Sequence, residues 1–158
     1  MPSENADPRV PTPIERVVFV CEHGAAKSIL AGTYFNLLAE RHGLSARAIA
    51  RGTEPGAEVS ERVRADASET GVQLCTSTPT PLSDADATAA DMVITFDVSA
   101  PNVESDTARR SWDGLPLLSQ DFVGGKAAIL MQVEALVAEL KNRTKSTAAA
   151  ARDEIDNS

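Results

Sequence analysis

Val17-Val18-Phe19-Val20-Cys21-Glu22-His23-Gly24-Ala25-Ala26-Lys27-Ser28 changes character at its cysteine. Upstream, from Ile14 to Val20, lies an apolar run rich in β-branched residues that is continuous at its end, as a strand buried on both faces requires. It predicts a central strand of a parallel sheet. Downstream, from about Ala26 to Arg41, the apolar positions Leu30, Tyr34, Leu37 and Leu38 recur at helical spacing, and Gly43 offers a left-handed stop. The small residues between them form a tight turn from strand to helix. Backbone N–H groups can converge in such a turn, and the helix N-terminus adds positive potential, so residues 21–28 are suited to cradling a tetrahedral oxyanion.

Cysteine at the head of this turn is in the environment that favours a nucleophilic thiolate. Cys21 is therefore the candidate nucleophile, Ser28 a hydroxyl donor to it, and Lys27 a cation beside the bound anion. Glu22, His23, Gly24, Ala25 and Ala26 supply the cradle. A nucleotide-binding Walker loop is excluded, because glycine would be needed where Cys21 and Ala26 stand, and no Rossmann glycine pattern occurs.

The rest of the chain repeats the alternation. Ala46 to Arg51 predicts a second strand, Ser60 to Thr70 a helix closed by Gly71, Val72 to Leu74 a short third strand, and Cys75 to Pro81 a loop. Ser83 to Ala90 reads as a helix with Ser83 as its N-cap, followed by a buried strand from Met92 to Phe96. Pro101 to Arg110 is polar enough for a loop, and Ser111 to Leu118 around Trp112 is consistent with a short strand or a turn. Ala127 to Arg143 is a long amphipathic helix. Strands alternating with helices give one α/β domain over residues 14–143, a three-layer α/β/α arrangement with a four-stranded parallel sheet. Ligands in such sheets sit at the carboxyl ends of the strands. A disordered arm over 1–13 and a frayed or disordered tail over 144–158 complete the expected organisation.

Composition narrows the function classes. The 158 residues are 42 % hydrophobic and 24 % charged, which suits a single globular domain. A formal net charge of −8 disfavours nucleic acid and anionic membrane as partners, since both draw affinity from clustered basic residues. Met1 to Pro13 has no apolar stretch of a secretory signal, so a cytoplasmic location is expected. With two cysteines and two histidines a structural zinc site is poorly supplied, and neither metal nor cofactor is expected.

With these motifs in place, the chain resembles the low-molecular-weight protein tyrosine phosphatases and the related thioredoxin-coupled arsenate reductases, whose loop is C-x5-R-[ST] after the first strand. The resemblance covers about Arg16 to Leu140. It includes Arg51-Gly-Thr-Glu-Pro-Gly56, Gly71-Val-Gln-Leu74 and Asp91-Met-Val-Ile-Thr-Phe-Asp97 besides the first strand and its loop. It implies that Cys21 attacks phosphorus in a phosphomonoester, with a phosphotyrosine protein as one candidate substrate, and that Ser28 stabilises the thiolate.

Three departures imply impaired catalysis. Lys27 stands where the family has arginine, replacing a bidentate guanidinium by a point charge. Loss of one oxyanion donor costs roughly 100- to 1000-fold in other enzymes. Gly24 replaces an asparagine. The family's late Asp-Pro, whose aspartate is the general acid, is missing: Ser111-Trp112-Asp113-Gly114-Leu115-Pro116 keeps the tryptophan and a proline, and Asp113 or Asp121 is the nearest substitute. General-acid help is worth roughly 100- to 10,000-fold. A non-catalytic oxyanion-binding module and an arsenate reductase using Cys21 and Cys75 stay open as alternatives. For Cys75 the readings are a buried inert thiol or a disulfide with Cys21, which needs Cα atoms within about 7 Å.

Overall fold

A computed structural model describes residues 13–99 and 107–156, with side chains through Arg143. Most of the expected N-terminal arm lies outside the described residues. The elements are β1 (Arg16–Cys21), α1 (Lys27–Arg41), β2 (Arg47–Gly52), α2 (Glu61–Thr70), α3 (Asp84–Ala89), β3 (Met92–Thr95), β4 (Ala108–Ser111) and α4 (Phe122–Asp156).

The sheet is four-stranded, in the order β2-β1-β3-β4, and every pairing is parallel. β1 is central, and all its residues from Val17 to Cys21 are buried, as its unbroken apolar run requires. Its side chains alternate between two cores. Val17, Phe19 and Cys21 join Met92, Ile94 and the buried faces of α1 and α4, while Val18 and Val20 meet Ala90 and Val93 on the other face, near α3. The result is a sheet sandwiched by helices, as expected.

Two strand assignments change. Val72 to Leu74 is not a strand: Val72 N–H bonds back to the Ala67 carbonyl, and Val72 and Leu74 pack half-buried against the main core. The fourth strand is instead β4, which includes part of the expected Pro101 to Arg110 loop. Arg109 and Arg110 hide it in the sequence, because an edge strand can carry charges on its outer side; Arg110 pairs with Glu139 of α4.

The expected α3 forms with its cap. Ser83 Oγ accepts from the Asp86 amide at 3.0 Å, and Asp86 Oδ2 accepts from the Ser83 amide at 3.1 Å. Asp86 also accepts from Arg51 Nε at 2.8 Å, fastening α3 to β2. Burial opposes ionisation of Asp86, but the Arg51 and Ser83 hydrogen bonds outweigh it and hold this carboxyl below its ordinary range.

α4 begins earlier and ends later than Ala127 to Arg143. Asp121 precedes its first residue and accepts from the Gly124 amide at 2.9 Å, an N-cap that starts the helix ahead of its two weak helix formers. Gly125 is required there: a Cβ would stand 2.9 Å from the Pro116 carbonyl oxygen and 2.7 Å from Leu118 Cδ2. At the far end, 144–156 is helical where a frayed tail is expected, in keeping with the high helix propensity of the Ala148–Ala151 run. Among the described residues no helix is long and apolar enough to cross a membrane.

An aromatic cluster underlies the carboxyl ends of the strands. Phe19 meets Trp112 at 5.5 Å and Phe35 and Phe96 at 6.1 Å between ring centroids, and Phe96 meets Trp112 edge-on at 5.8 Å. These contacts place the segments following β3 and β4 beside the turn that follows β1.

Candidate active site

Cys21 ends β1, and the chain turns through Glu22 to Ala26 before α1 starts at Lys27. The turn is gripped from one side by the segment after β2. The carbonyls of Cys21, Glu22, His23 and Ala25 accept from the amides of Thr53, Glu54, Gly56 and Ser60 at 3.1, 2.7, 2.9 and 2.9 Å. In a trans peptide the next N–H points opposite to the carbonyl, so the amides of Glu22, His23, Gly24 and Ala26 face away from that segment. The Gly52-Thr-Glu-Pro-Gly56 stretch thus orients the cradle mainly by backbone bonds, joined by the Thr53 hydroxyl, which donates to the Glu22 carbonyl at 3.4 Å.

Close approach of two glycines makes this possible. Gly24 has φ of +58°, and a Cβ on it would stand 2.8 Å from the Gly52 nitrogen; a Cβ on Gly52 would stand 2.7 Å from the Gly24 nitrogen. α1 adds its own field. Its N-cap, Ala26, makes no side-chain cap and its first turn holds no acid, so the positive end of the dipole is not neutralised locally.

Cys21 Sγ lies 3.0 Å from Ser28 Oγ, in the buried floor of the turn. A hydroxyl there donates to a thiolate and stabilises the charged form. Ser28→Ala should slow alkylation of Cys21 by iodoacetamide at neutral pH about tenfold, the scale of one hydrogen bond to a charged group. An unchanged rate, with the modified residue identified by mass spectrometry, would show that the contact does not activate the sulfur.

Beside this sulfur opens a cavity of about 660 Å³. Its lining includes Cys21 and the turn, Ser60 to Arg62 at the start of α2, Phe96 and Asp97 after β3, and Leu117 to Ser119 ahead of α4. Phe96 and Leu118 are buried apolar walls, and Leu117 is half-exposed at the mouth. Arg62 lies with its guanidinium 4.7 Å from the centre of the Phe122 ring.

The predicted residues part ways at this cavity. Cys21, Ser28 and the turn from Glu22 to Ala26 are brought together. Glu22 and His23 project largely into solvent, with His23 Nε2 3.8 Å from Glu22 Oε2, and His23 Nδ1 lies 3.2 Å from the Glu54 carbonyl oxygen. Lys27 lines the cavity, but its ammonium donates to Asp97 Oδ2 at 3.3 Å and to the Leu115 carbonyl at 3.4 Å. Asp113 is exposed and accepts the Asp97 amide at 2.7 Å, and Asp121 is the α4 cap.

Asp97 was not singled out from the sequence. It has φ of +56°, and its Oδ1 accepts from the Gly114 amide at 3.0 Å. The Gly114 hydrogen bond is the largest cause, and with the weaker pull of Lys27 it holds the carboxyl below the ordinary range against the opposing effect of burial. An Asp closing the Thr-Phe-Asp end of an apolar strand was the available signal. Arg62 had none, since only the packing of α2 against α4 brings it to the rim.

Cys75 belongs elsewhere. Its sulfur packs against Gly32 and donates to the Ile29 carbonyl at 3.6 Å, its amide donates to Thr33 Oγ1 at 3.0 Å, and it lines a separate cleft of about 260 Å³. Burial pushes its thiol pKa up despite the Thr33 hydrogen bond, so it is a poor thiolate. Both cysteines are free thiols.

Comparison with known proteins agrees with this layout. A comparison with curated protein sequences finds no match. Among solved structures, the thioredoxin-dependent arsenate reductase of Corynebacterium glutamicum is similar at 26 % identity and a TM-score of 0.65, over 82 % of this chain and 63 % of that one. The match therefore spans less than two thirds of that relative. An arsenate reductase solved in the phosphate-binding state shares the fold at 20 % identity and a TM-score of 0.65, over 80 % of this chain and 99 % of that one. The low molecular weight protein tyrosine phosphatase of Streptococcus pyogenes does so at 13 % identity and a TM-score of 0.62, over 80 % and 93 % of the two chains. The family model for low molecular weight phosphotyrosine protein phosphatase matches residues 16–146, and with the cysteine turn at the carboxyl end of its central strand, this chain belongs to that family.

Proposed function

We propose that the protein is a cysteine-dependent phosphomonoester hydrolase of the cytoplasm, acting on aryl phosphates such as a phosphotyrosine residue of a protein. The observation that carries this reading is the 3.0 Å contact of Cys21 Sγ with Ser28 Oγ at the head of α1, opening on the 660 Å³ cavity. The Cys21 thiolate attacks phosphorus, the S–P bond forms as the P–O ester bond breaks, and the leaving group departs as a phenolate that takes its proton from water afterwards. Water then attacks the cysteinyl-phosphate, releasing inorganic phosphate and restoring the thiolate. The amides of Glu22, His23, Gly24 and Ala26 and the N-terminus of α1 hold the phosphoryl oxygens.

The carboxylates named as acids are engaged otherwise. Asp113 accepts the Asp97 amide and Asp121 caps α4. The neighbouring Asp97, which the sequence did not single out, has its carboxyl pKa lowered by the Gly114 hydrogen bond and Lys27. Without a poised acid, turnover is slow and depends on a leaving group that departs readily as an anion, which favours aryl over alkyl esters. The apolar walls of Phe96, Leu117 and Leu118 suit an aromatic leaving group. Arsenate reduction is less well supported, because Cys75 lines a different cleft and is held as a thiol.

Acid quench of the protein with an aryl phosphate labelled in its phosphoryl group tests this reading. Label recovered on Cys21 is expected. Phosphate protection of Cys21 from alkylation without label or turnover would instead make the protein an oxyanion-binding module, and arsenate-dependent loss of thiols would make it a reductase.

A further inference from the structure

The Lys27 side chain is only 11 % exposed, and its ammonium donates to Asp97 Oδ2 and to the Leu115 carbonyl. Asp97 in turn is fixed from three directions. Its backbone bends into the left-handed region, its amide donates to Asp113, and its Oδ1 accepts from the Gly114 amide. Its second oxygen therefore faces Lys27 from a rigid mount, and both residues line the cavity that holds Cys21. A lysine ammonium is a point charge on a flexible stem, free to serve one anion or another.

We infer that Asp97 is a built-in competitor for the bound oxyanion: its carboxylate holds the Lys27 charge, and an incoming phosphoryl group must draw Lys27 away before it gains that cation. Asp97 is thus a positioning residue that acts through Lys27, and it sets how weakly the site holds a simple dianion. The inference rests on the proposed phosphoryl site at the turn. It also gives Asp97 a specificity role, since a substrate must supply further contacts, to the apolar walls or to Arg62, to outweigh the competition.

Asp97→Asn separates charge from structure. Asparagine tolerates the left-handed backbone, and its side-chain oxygen can still accept from Gly114 while its amide donates to Asp113. The probe is inorganic phosphate, read as protection of Cys21 against iodoacetamide and resolved from Cys75 by mass spectrometry. D97N should lower the phosphate concentration for half-protection about fivefold, the scale of one partly exposed ion pair. In a Lys27→Met background the same substitution should change nothing, because the charge it frees is gone.

A merely structural Asp97 would instead give equal or weaker protection in D97N, which overturns the inference. A gain that persists with Lys27→Met overturns it as well, since the effect would then be general repulsion. Should D97N not fold, the native chain serves: phosphate should raise the titration midpoint of the Asp97 carboxyl followed by NMR, and no movement at saturating phosphate overturns the inference. No protection of Cys21 by phosphate in any variant would remove the phosphoryl site itself, whereas protection in the native chain without a gain in D97N defeats only the role of Asp97.

Discussion

Cys21→Ser is expected to reduce hydrolysis of p-nitrophenyl phosphate by at least about 1000-fold, with the fold and phosphate binding intact. The substitution replaces one small atom at a residue only 8 % exposed, so the turn, its carbonyl contacts with 53–60 and the start of α1 have no reason to move. What changes is nucleophilicity. A serine hydroxyl needs a general base, and its nearest side-chain partner, the Ser28 hydroxyl, cannot act as one at neutral pH. Steady-state turnover, checked by circular dichroism for an unchanged fold, makes the comparison. Equal rates in the two proteins would mean that hydrolysis does not pass through the sulfur.

The second large effect is predicted away from the chemistry. Gly52→Ala should destabilise the protein by about 2–3 kcal/mol and abolish phosphate protection of Cys21. Its Cβ would meet backbone on the facing turn, 2.7 Å from the Gly24 nitrogen and 2.8 Å from the His23 carbonyl carbon. Neither side can retreat easily. Gly52 donates to the Thr80 carbonyl at 2.9 Å and accepts from the Leu82 amide at 3.0 Å, while Gly24 sits in a turn bonded along its length to 53–60. The strain must therefore open the cradle. Thermal unfolding and Cys21 alkylation with and without phosphate measure both consequences, and Gly43→Asn, at a left-handed position with open space around it, is the control that should change little. A Gly52→Ala protein of native stability would show that the two backbones are not held in this contact.

The same contact shows how far the sequence could be read. β1, the cysteine turn and α1 were legible because local signals agreed: a continuous apolar run, small residues, then helical spacing. Ser28 followed from its place on the first turn of that helix. β4 was not legible, since Arg109 and Arg110 suit a loop as well as a charged sheet edge, and only pairing with β3 decides between them. Val72 and Leu74 misled for the converse reason, as apolar alternation also describes a coil lying half-buried on a helix. Around the sulfur, the residues within one local unit could be inferred. Asp97, Arg62 and the apolar walls could not, because they come from separate elements that only the strand order and helix packing bring to one rim. Lys27 shows the limit most clearly: its position on the turn was legible, but the partner of its charge is 70 residues away.

The aromatic cluster beneath the site has a practical consequence. Trp112 is the sole tryptophan of the chain, and its indole is wedged against Phe19 and Phe96, next in sequence to the Asp113 that holds Asp97. Nature has thereby installed a fluorophore under the cavity floor with no competing indole to obscure it. Emission selectively excited from that ring can follow ligand arrival and loop rearrangement in stopped flow, without any label on the protein.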